Sequence, residues 1–368
     1  MTLGLGMSLS AQEVAAYKTA KTTKAQQMQS AIPCGIVEHD ACLARGCECA
    51  MGGVLEVDFL WWRAENPGFT YGFDIKDPHS TAATSATTGT YQIGSLMQLE
   101  SKWDPGFRIG MGWNTCFDRW DVFTDWTWYS VTSEETSTYG STPVGEMGYH
   151  SLWPVSSNAD AYQQVEAGWK MWYNAIDMEL GRAFYITKAL SLRTHAGLRG
   201  AWLNQKFQSQ FEMPVAAIPN SKMTFHGENE FWGVGPRIGF SGNWHIDSSE
   251  WSILCKASGA LLSGKTETRS ATDYLVTVGG VATPQRDMRS NFTQIVPTVQ
   301  FFLGIDWGTC FDCNKYYLGL NAGWEANLYW NQFSLLPAMK GYFNSPIPSM
   351  SNQAVMMDGL TFNAHLDF

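Results

Sequence analysis

Hydrophobic and polar residues alternate with a period of two along most of the chain from Gly52 onward. In residues 316–331, every second side chain is apolar, including Leu320 and Trp324, and the side chains between them are mostly polar or small. Such alternation is typical of a β-strand with two different faces. It predicts ten strands, at residues 53–64, 103–113, 120–130, 166–178, 189–204, 230–242, 250–263, 293–306, 316–331 and 360–368.

The connections between these strands alternate in length. Short turns are expected near residues 114–119, 181–188, 243–249 and 307–314, and long polar stretches separate the other consecutive strands. Outer-membrane barrels alternate short periplasmic turns with long extracellular loops. A soluble β-sandwich would instead have a polar outward face. The pattern therefore predicts an all-β fold, a transmembrane antiparallel up-and-down β-barrel of about ten strands, within about 8–12.

The composition agrees with a β-protein whose outer surface does not face water. Hydrophobic residues make up 45% of the chain and charged residues only 16%, and there are 17 tryptophans. No apolar run is long enough for a helical membrane span, which takes about 18 residues, so a closed barrel is the structure that satisfies the backbone within lipid. The net charge of −10 argues against a nucleic-acid partner.

The N-terminal region differs from the rest of the chain. Residues 1–11 look like the remnant of a secretory signal peptide, although an ordinary flexible N-terminus is the alternative. Residues 12–51 are polar and alanine-rich at first, then rich in cysteine, and are expected to be a helical or disordered periplasmic segment. Residues 52–368 form the predicted outer-membrane barrel.

Three segments carry a resemblance to a known family. They are Val57–Ala64, Trp103–Trp113 and Trp120–Tyr129, and they resemble the Legionella-type major outer membrane proteins, a family expanded in chlamydia-like bacteria such as Simkania. The resemblance implies a pore-forming barrel in the bacterial outer membrane. It also implies that the last strand, ending at Phe368, is an assembly signal for the barrel-assembly machinery. Outer-membrane lipid and that machinery are thus expected partners.

The polar faces of the strands are predicted to line the lumen. In strand 166–178 the alternation sets Trp169, Met171 and Tyr173 on the lipid side and Lys170 on the lumen side. The predicted lumen-lining charged residues are Arg108, Lys170, Arg193, Arg199, Arg237, Lys256, Glu56, Asp58, Asp121, Asp125, Asp306, Glu325 and Asp367. Basic and acidic residues come largely from different strands, so they either produce a transverse field across the lumen or pair across it and close it.

The cysteines suggest disulfide chemistry in an exported protein. The disulfide candidates are Cys34, Cys42, Cys47, Cys49, Cys116, Cys310 and Cys313. They would lie on the oxidising, periplasmic side of the membrane. There they would tie the N-terminal segment under the barrel, or link the protein to envelope proteins or to a second copy. Cys255 falls within a strand. Zinc binding by the first four is a weaker alternative, because their spacing fits no standard pattern.

Two motifs suggest other chemistry. Residues 259–266 match the phosphate-binding pattern G-x-x-x-x-G-K-[ST], but no helix is predicted after them, so a strand entering a loop is favoured. Cys310 and Cys313 form a C-x-x-C pair without the βαβ context of a redox protein. His195 and His365 are expected in the lumen, with no nucleophile placed beside them. We therefore expect no enzyme activity, cofactor or metal.

The favoured function is an outer-membrane porin that lets small solutes and ions diffuse across the membrane. The alternative is a plugged structural barrel or adhesin, cross-linked by disulfides into the envelope. Both readings stay open, because a barrel of eight strands is filled by its own side chains and ten strands leave little more room.

Overall fold

The computed structural model describes most of the chain beyond Gly52. The described residues are 52–66, 70–78, 92–115, 118–140, 148–151, 162–187, 189–212, 222–246, 249–275, 282–311, 316–333 and 353–368. The predicted signal-peptide remnant and the N-terminal cysteines lie outside them. Within these ranges no helix is long and apolar enough to cross a membrane.

The described residues form thirteen strands. They are β1 (Gly52–Glu65), β2 (Thr70–Pro78), β3 (Gln92–Gln98), β4 (Trp103–Asn114), β5 (Trp120–Thr138), β6 (Gly148–Ser151), β7 (Gln164–Tyr185), β8 (Leu190–Glu212), β9 (Lys222–His245), β10 (Trp251–Leu275), β11 (Ala282–Phe311), β12 (Tyr316–Phe333) and β13 (Gln353–Asp367). Ten of them close into a barrel in the order β1-β13-β12-β11-β10-β9-β8-β7-β5-β4, and β3, β2 and β6 form a separate three-stranded sheet. The predicted antiparallel barrel of about ten strands is confirmed.

The barrel closes between its first and last strands. β1 and β13 pair antiparallel, with Phe59 opposite Phe362. Beyond the last residues of this register, the backbones of Gly53 and Phe368 exchange two hydrogen bonds of 2.8 and 3.0 Å. The C-terminal residue therefore takes part in the closure that leaves the sheet without an edge strand.

A band of exposed apolar side chains surrounds the barrel. Leu320 and Trp324 are 45% and 42% exposed on its outer surface, whereas Asn321 and Glu325 point inward and are buried. Tryptophans mark both margins of the band, and on β9 these are Trp232 and Trp244. Twelve residues at about 3.4 Å each, tilted by about 40°, give about 30 Å along the barrel axis, which is close to the hydrocarbon thickness of a bilayer.

Several strands extend well beyond this band, which corrects the predicted boundaries. β10 ends at Leu275 and β11 begins at Ala282. Most of the long loop expected between them is therefore a paired hairpin. Thirty residues of β11 span about 100 Å, far more than the 9–11 residues needed to cross a bilayer. Residues 259–266 lie inside β10, paired with neighbours on both sides, so they form no phosphate-binding loop.

The predicted orientation of the first half of β7 is wrong. Trp169, Met171 and Tyr173 face the barrel interior and are almost completely buried, whereas Lys170 is exposed on the outer surface. Closer to the short turns, Ile176 faces outward. The alternation continues along the whole strand, but the apolar side chains lie on the inner face in its first half and on the outer face in its second half. Outside the membrane the outer face meets water and the interior is packed, so the apolar side chains change sides.

Candidate functional site

A water-accessible vestibule enters the barrel from one end. This short-turn end carries the connections β4–β5, β7–β8, β9–β10 and β11–β12 and the C-terminus; the opposite end is called the long-loop end. The vestibule has a volume of about 1260 Å³. Its wall contains eleven of the thirteen predicted lumen charges, together with His195 and His365. Arg199 lies deeper on the inner wall, and Lys170 lies outside the barrel.

The inner end of the vestibule is a layer of paired charges. Arg108 on β4 contacts Asp58 on β1 at 2.7 Å and Glu325 on β12 at 2.6 Å. The Glu325 side chain is 1% exposed. Asp58 lies directly opposite Arg108 on the neighbouring strand, whereas the contact with Glu325 connects β4 to β12, which is not its neighbour, across a corner of the lumen.

A second group of charges lies on the opposite wall. Arg199 on β8 makes two hydrogen bonds of 2.7 and 2.6 Å to the carboxylate of Asp177 on β7. Arg237 on β9 contacts Asp177 at 3.0 Å and also pairs with Glu179. Both carboxylates are buried, so this wall is held together by charge-assisted hydrogen bonds, the strong class of such bonds.

Gln300 on β11 joins the two groups. Its carbonyl oxygen accepts a hydrogen bond from Arg199 at 2.6 Å and one from Arg237 at 2.9 Å. Its amide nitrogen donates to Glu325 at 2.7 Å. A continuous polar network thus crosses the lumen from β7 and β8 to β12 and β4.

These contacts bear on the two predictions for the lumen charges. A transverse field requires a basic wall facing an acidic wall. Instead, Asp177 and Glu179 lie on the basic wall and pair there, and Arg108 lies among the acids. The contacts show the pairing of charges on which the second prediction rests, and whether that pairing closes the lumen stays a prediction. Asp177 and Glu179 were not among the predicted lumen-lining residues. Their alternation with the apolar Ile176 and Met178 could have identified them.

An aromatic layer follows on the long-loop side of the network. The hydroxyl oxygens of Tyr173 on β7 and Tyr329 on β12 are 2.7 Å apart. These two strands are five positions apart in the ten-stranded ring, so their contact spans the full width of the lumen. Trp62 donates to Thr361 at 3.0 Å, and Tyr129 donates to the backbone carbonyl of Trp62 at 2.9 Å.

A hydrophobic core fills the lumen between this layer and the long-loop end. Phe207, Phe211 and Phe225 belong to it and are at most 3% exposed. Tyr71 of β2 and Tyr149 of β6 belong to the same cluster, so the three-stranded sheet packs against the core. In the described part of the chain, the vestibule thus reaches inward as far as the charged layer, and buried apolar side chains follow beyond it.

Most of the cysteines lie outside the described residues. Of the eight, only Cys255 and Cys310 lie among the described residues. Cys255 carries a free thiol and Cys310 is disulfide-bonded. The other candidates lie outside the described residues, and the cross-linking pattern stays a prediction. In the described part of the chain, no three His, Cys, Asp or Glu side chains are grouped to hold a metal ion.

A family model covers almost the whole barrel. The model of the Legionella pneumophila major outer membrane protein precursor matches residues 51–368. The chain belongs to this family. It is therefore a bacterial outer-membrane β-barrel, as the alternation and the resemblance predicted. None of the curated proteins matches the chain.

Solved structures with a similar fold include other outer-membrane barrels. The outer membrane protease OmpT from Escherichia coli is 10% identical, with 88% of this chain and 99% of that chain covered at a TM-score of 0.39. The Pseudomonas putida toluene transporter TodX is 9% identical, with 86% and 89% covered at a TM-score of 0.30. One is a protease and the other a transporter, and the similarity concerns the fold alone.

Proposed function

We propose that this family member is a structural outer-membrane barrel with a closed lumen, rather than an open diffusion pore. The observation that carries the proposal is the contact between Tyr173 and Tyr329 across the full width of the lumen. A diffusion pore needs a continuous column of water, and a layer in which facing side chains touch leaves no room for one.

The buried charges support the same function. The side chains of Arg199 and Asp177 are 2% and 4% exposed. In a water-filled channel these groups would be hydrated, because desolvating an ion is costly unless its partners compensate. Their burial is matched by the hydrogen bonds of the network, which is the arrangement of a packed core.

The extended strands suggest what such a barrel provides. The hairpins beyond the membrane carry polar outer surfaces and a packed interior. The barrel holds this rigid extension at the long-loop end, which we place outside the cell, and the vestibule then opens to the periplasm. Cross-linking through the cysteines on the periplasmic side would connect it to the envelope. The proposal assigns no catalytic chemistry.

Planar-bilayer recording of the purified, refolded protein tests the proposal. We expect no steady conductance steps at insertion densities at which a known porin, recorded in parallel, gives regular steps. Swelling of proteoliposomes in a small sugar should likewise match protein-free liposomes. Uniform steps that scale with the amount of protein inserted would refute the closed lumen.

A diffusion porin is the second candidate. The vestibule favours it, because water reaches the middle of the barrel and more acidic than basic side chains line the wall. If steps are seen, replacing Arg193, Arg199 and Arg237 by Ser should shift the reversal potential toward cation selectivity, since three positive charges leave the lumen. An unchanged reversal potential would show that ions follow another route.

A further inference from the structure

The wall of the vestibule carries more acidic than basic side chains. It contains ten carboxylates and six Lys or Arg side chains, and Arg199, the partner of Asp177, lies deeper on the inner wall. With the three histidines of the wall neutral, an excess of three negative charges remains. Charged short-turn residues outside the described ranges do not offset it, because two lysines stand against two aspartates there, namely Lys188, Lys315, Asp247 and Asp312. Low-dielectric walls focus the field of such an excess, which raises the local concentration of cations.

The excess is concentrated on one side of the vestibule. Strands β11, β12 and β13 contribute the carboxylates of Asp306, Glu325 and Asp367 to its wall, but no Lys or Arg. Of these three, Glu325 belongs to the paired layer at the inner end. On the neighbouring strand β10, Lys256 lies opposite Phe302, which is four residues, or about 14 Å along the strand, from Asp306. The side formed by β11, β12 and β13 is therefore acidic.

Asp306 on this side is a buried carboxylate without a cationic partner. Its side chain lines the vestibule, although the residue is only 4% exposed. Oδ2 accepts hydrogen bonds from Ser252 at 3.1 Å and from Asn243 at 3.4 Å. Oδ1 has no hydrogen-bond partner, and within the part of the chain that the structure describes Asp306 makes no ion pair within 4.0 Å. A buried charge is costly unless it is paired, so Asp306 points to a cationic ligand in the vestibule.

A basic stretch of the same chain is tethered at the mouth of this vestibule. β1 begins at Gly52, which lines the vestibule, so the residues before it start at the rim. Residues 12–31 contain Lys18, Lys21 and Lys24 and a single acidic residue, Glu13, so their charge is opposite to that of the wall. An ammonium group has three donors and no acceptor, which suits a carboxylate with an unpartnered oxygen.

The tether is long enough to place these lysines inside the vestibule. Lys24 precedes Gly52 by 28 residues, and the ends of a flexible chain of that length lie about 30 Å apart on average. Asp58, in the inner layer, is six residues from Gly52, or about 15 Å along the barrel axis. Tethering gives such a stretch an effective concentration of about 1 mM. The volume of about 1260 Å³ exceeds that of a usual ligand pocket, about 300–1,000 Å³, so a peptide can enter.

We propose that the vestibule holds residues 18–24 of the same chain, with a lysine ammonium group paired to Asp306. The bound stretch neutralises the excess acidic charge and fills the water-accessible end of the lumen. This inference does not depend on whether the inner layers conduct, because it concerns the vestibule alone. In a conducting barrel the same stretch would obstruct the route of the ions.

Acylation of lysines in the full-length refolded protein tests this contact. Protein in a non-ionic detergent at low ionic strength receives a short pulse of an amine-acylating reagent, and mass spectrometry gives the rate at each lysine. Lys18, Lys21 and Lys24 should react about fivefold more slowly than in urea-unfolded protein, and Asp306→Asn should restore most of that rate, since one ion pair at a partly exposed site contributes a factor of roughly five. Equal rates in folded and unfolded protein would overturn the proposal.

Glu267→Gln serves as the control variant. It removes the same charge from the long-loop end, where the Glu267 side chain is 54% exposed. The rates at the three N-terminal lysines should stay within about twofold of the wild type, because the charge lies well beyond the Debye length. Lys170 and Lys206 on the outer surface should react equally in every variant, which shows that the barrel has kept its fold. Unchanged rates in Asp306→Asn would mean that Asp306 is neutral in the native barrel, and the contact would be refuted.

A synthetic peptide of residues 12–31 gives a second test, which leaves the barrel strands unaltered. Lys18→Gln/Lys21→Gln/Lys24→Gln should empty the vestibule. The full-length variant should therefore bind the labelled wild-type peptide about tenfold more tightly than the wild-type protein, whose own stretch competes at about millimolar effective concentration. A peptide with the same three substitutions should not bind. Equal binding of the wild-type peptide by both proteins would exclude occupation by the tethered stretch.

Dilution distinguishes the tethered stretch from that of a second molecule. An intramolecular contact does not depend on protein concentration, so the acylation rates of the wild type should be the same after about a tenfold dilution at constant detergent. Faster acylation of Lys18, Lys21 and Lys24 on dilution would assign the vestibule to a second copy of the chain, and the intramolecular contact would be wrong.

Discussion

The pair formed by Arg199 and Asp177 provides the sharpest test of a packed lumen. Asp177→Asn keeps the size of the side chain but removes its charge. Arg199, with a side chain 2% exposed, then loses its ion pair and keeps at most one of the two hydrogen bonds, because an amide nitrogen cannot accept, and Arg237 loses one of its two carboxylate contacts. The variant therefore leaves a positive charge buried without its main partner.

The expected cost follows from this burial. Removing one partner of a buried ion pair typically destabilises a protein by about 3–5 kcal/mol. The lower end of that range applies here, because Gln300 still accepts a hydrogen bond from Arg199 and Glu179 still pairs with Arg237. We expect the free energy of unfolding to fall by about 3 kcal/mol.

Asp118→Asn is the matched control. It breaks another Arg–Asp pair, in which the side chains of Arg182 and Asp118 are 35% and 56% exposed. Such surface pairs contribute about 0–1 kcal/mol. Urea unfolding in detergent, followed by tryptophan fluorescence, should separate the two variants clearly. Equal midpoints would mean that Arg199 is hydrated, and the packed lumen would be refuted. Arg199→Met/Asp177→Leu should recover most of the stability.

Other expected outcomes test the remaining features. Leu320→Arg should destabilise the barrel by about 2–4 kcal/mol, and Asn321→Arg much less, in the same urea assay; equal effects would contradict the assigned faces. Deleting Phe368 should lower the yield of heat-modifiable barrel in the outer membrane, and normal yield would argue against an assembly signal. Non-reducing gels of native envelopes should show high-mass species that vanish when Cys34, Cys42, Cys47 and Cys49 become Ser; a monomeric band with thiols blocked at lysis would exclude cross-linking. Burial raises the pKa of Glu135, so its contribution to stability is present at low pH and is lost as the pH rises through the folded value; Glu135→Gln should flatten the thermal stability profile in mildly acidic solution.

The number of barrel strands and their antiparallel order follow from the sequence, whereas the separate sheet of β2, β3 and β6 was not predicted. In a β-strand successive side chains point to opposite faces, so a strand leaves a local pattern of period two that needs no knowledge of its neighbours. Each of the ten predicted segments falls on one barrel strand, and residues 189, 250 and 368 lie one residue beyond the strand ends. The inward positions of Arg193, Arg199 and Arg237 follow from the same pattern, because apolar residues flank them on the outer face within the membrane.

The outward orientation of Lys170 could not be predicted from this pattern. Alternation shows that two faces differ, but which face is apolar depends on whether that part of the strand lies in lipid or in water. On β7 this changes between Asn174 and Ile176, so the same period places Lys170 outside and Asp177 inside. The lengths of β10 and β11 were underestimated for the same reason, since their outer faces are polar beyond the membrane.

Which inward side chains meet across the lumen was decided by tertiary structure alone. Tyr173 and Tyr329 are 156 residues apart, and their contact depends on the strand number and register that set the width of the ring. The same holds for Gln300, whose partners come from β8, β9 and β12. A local sequence pattern fixes which side chains share a face of a strand, but which of them meet depends on the closed barrel, because contacts across a lumen join residues that share no local pattern.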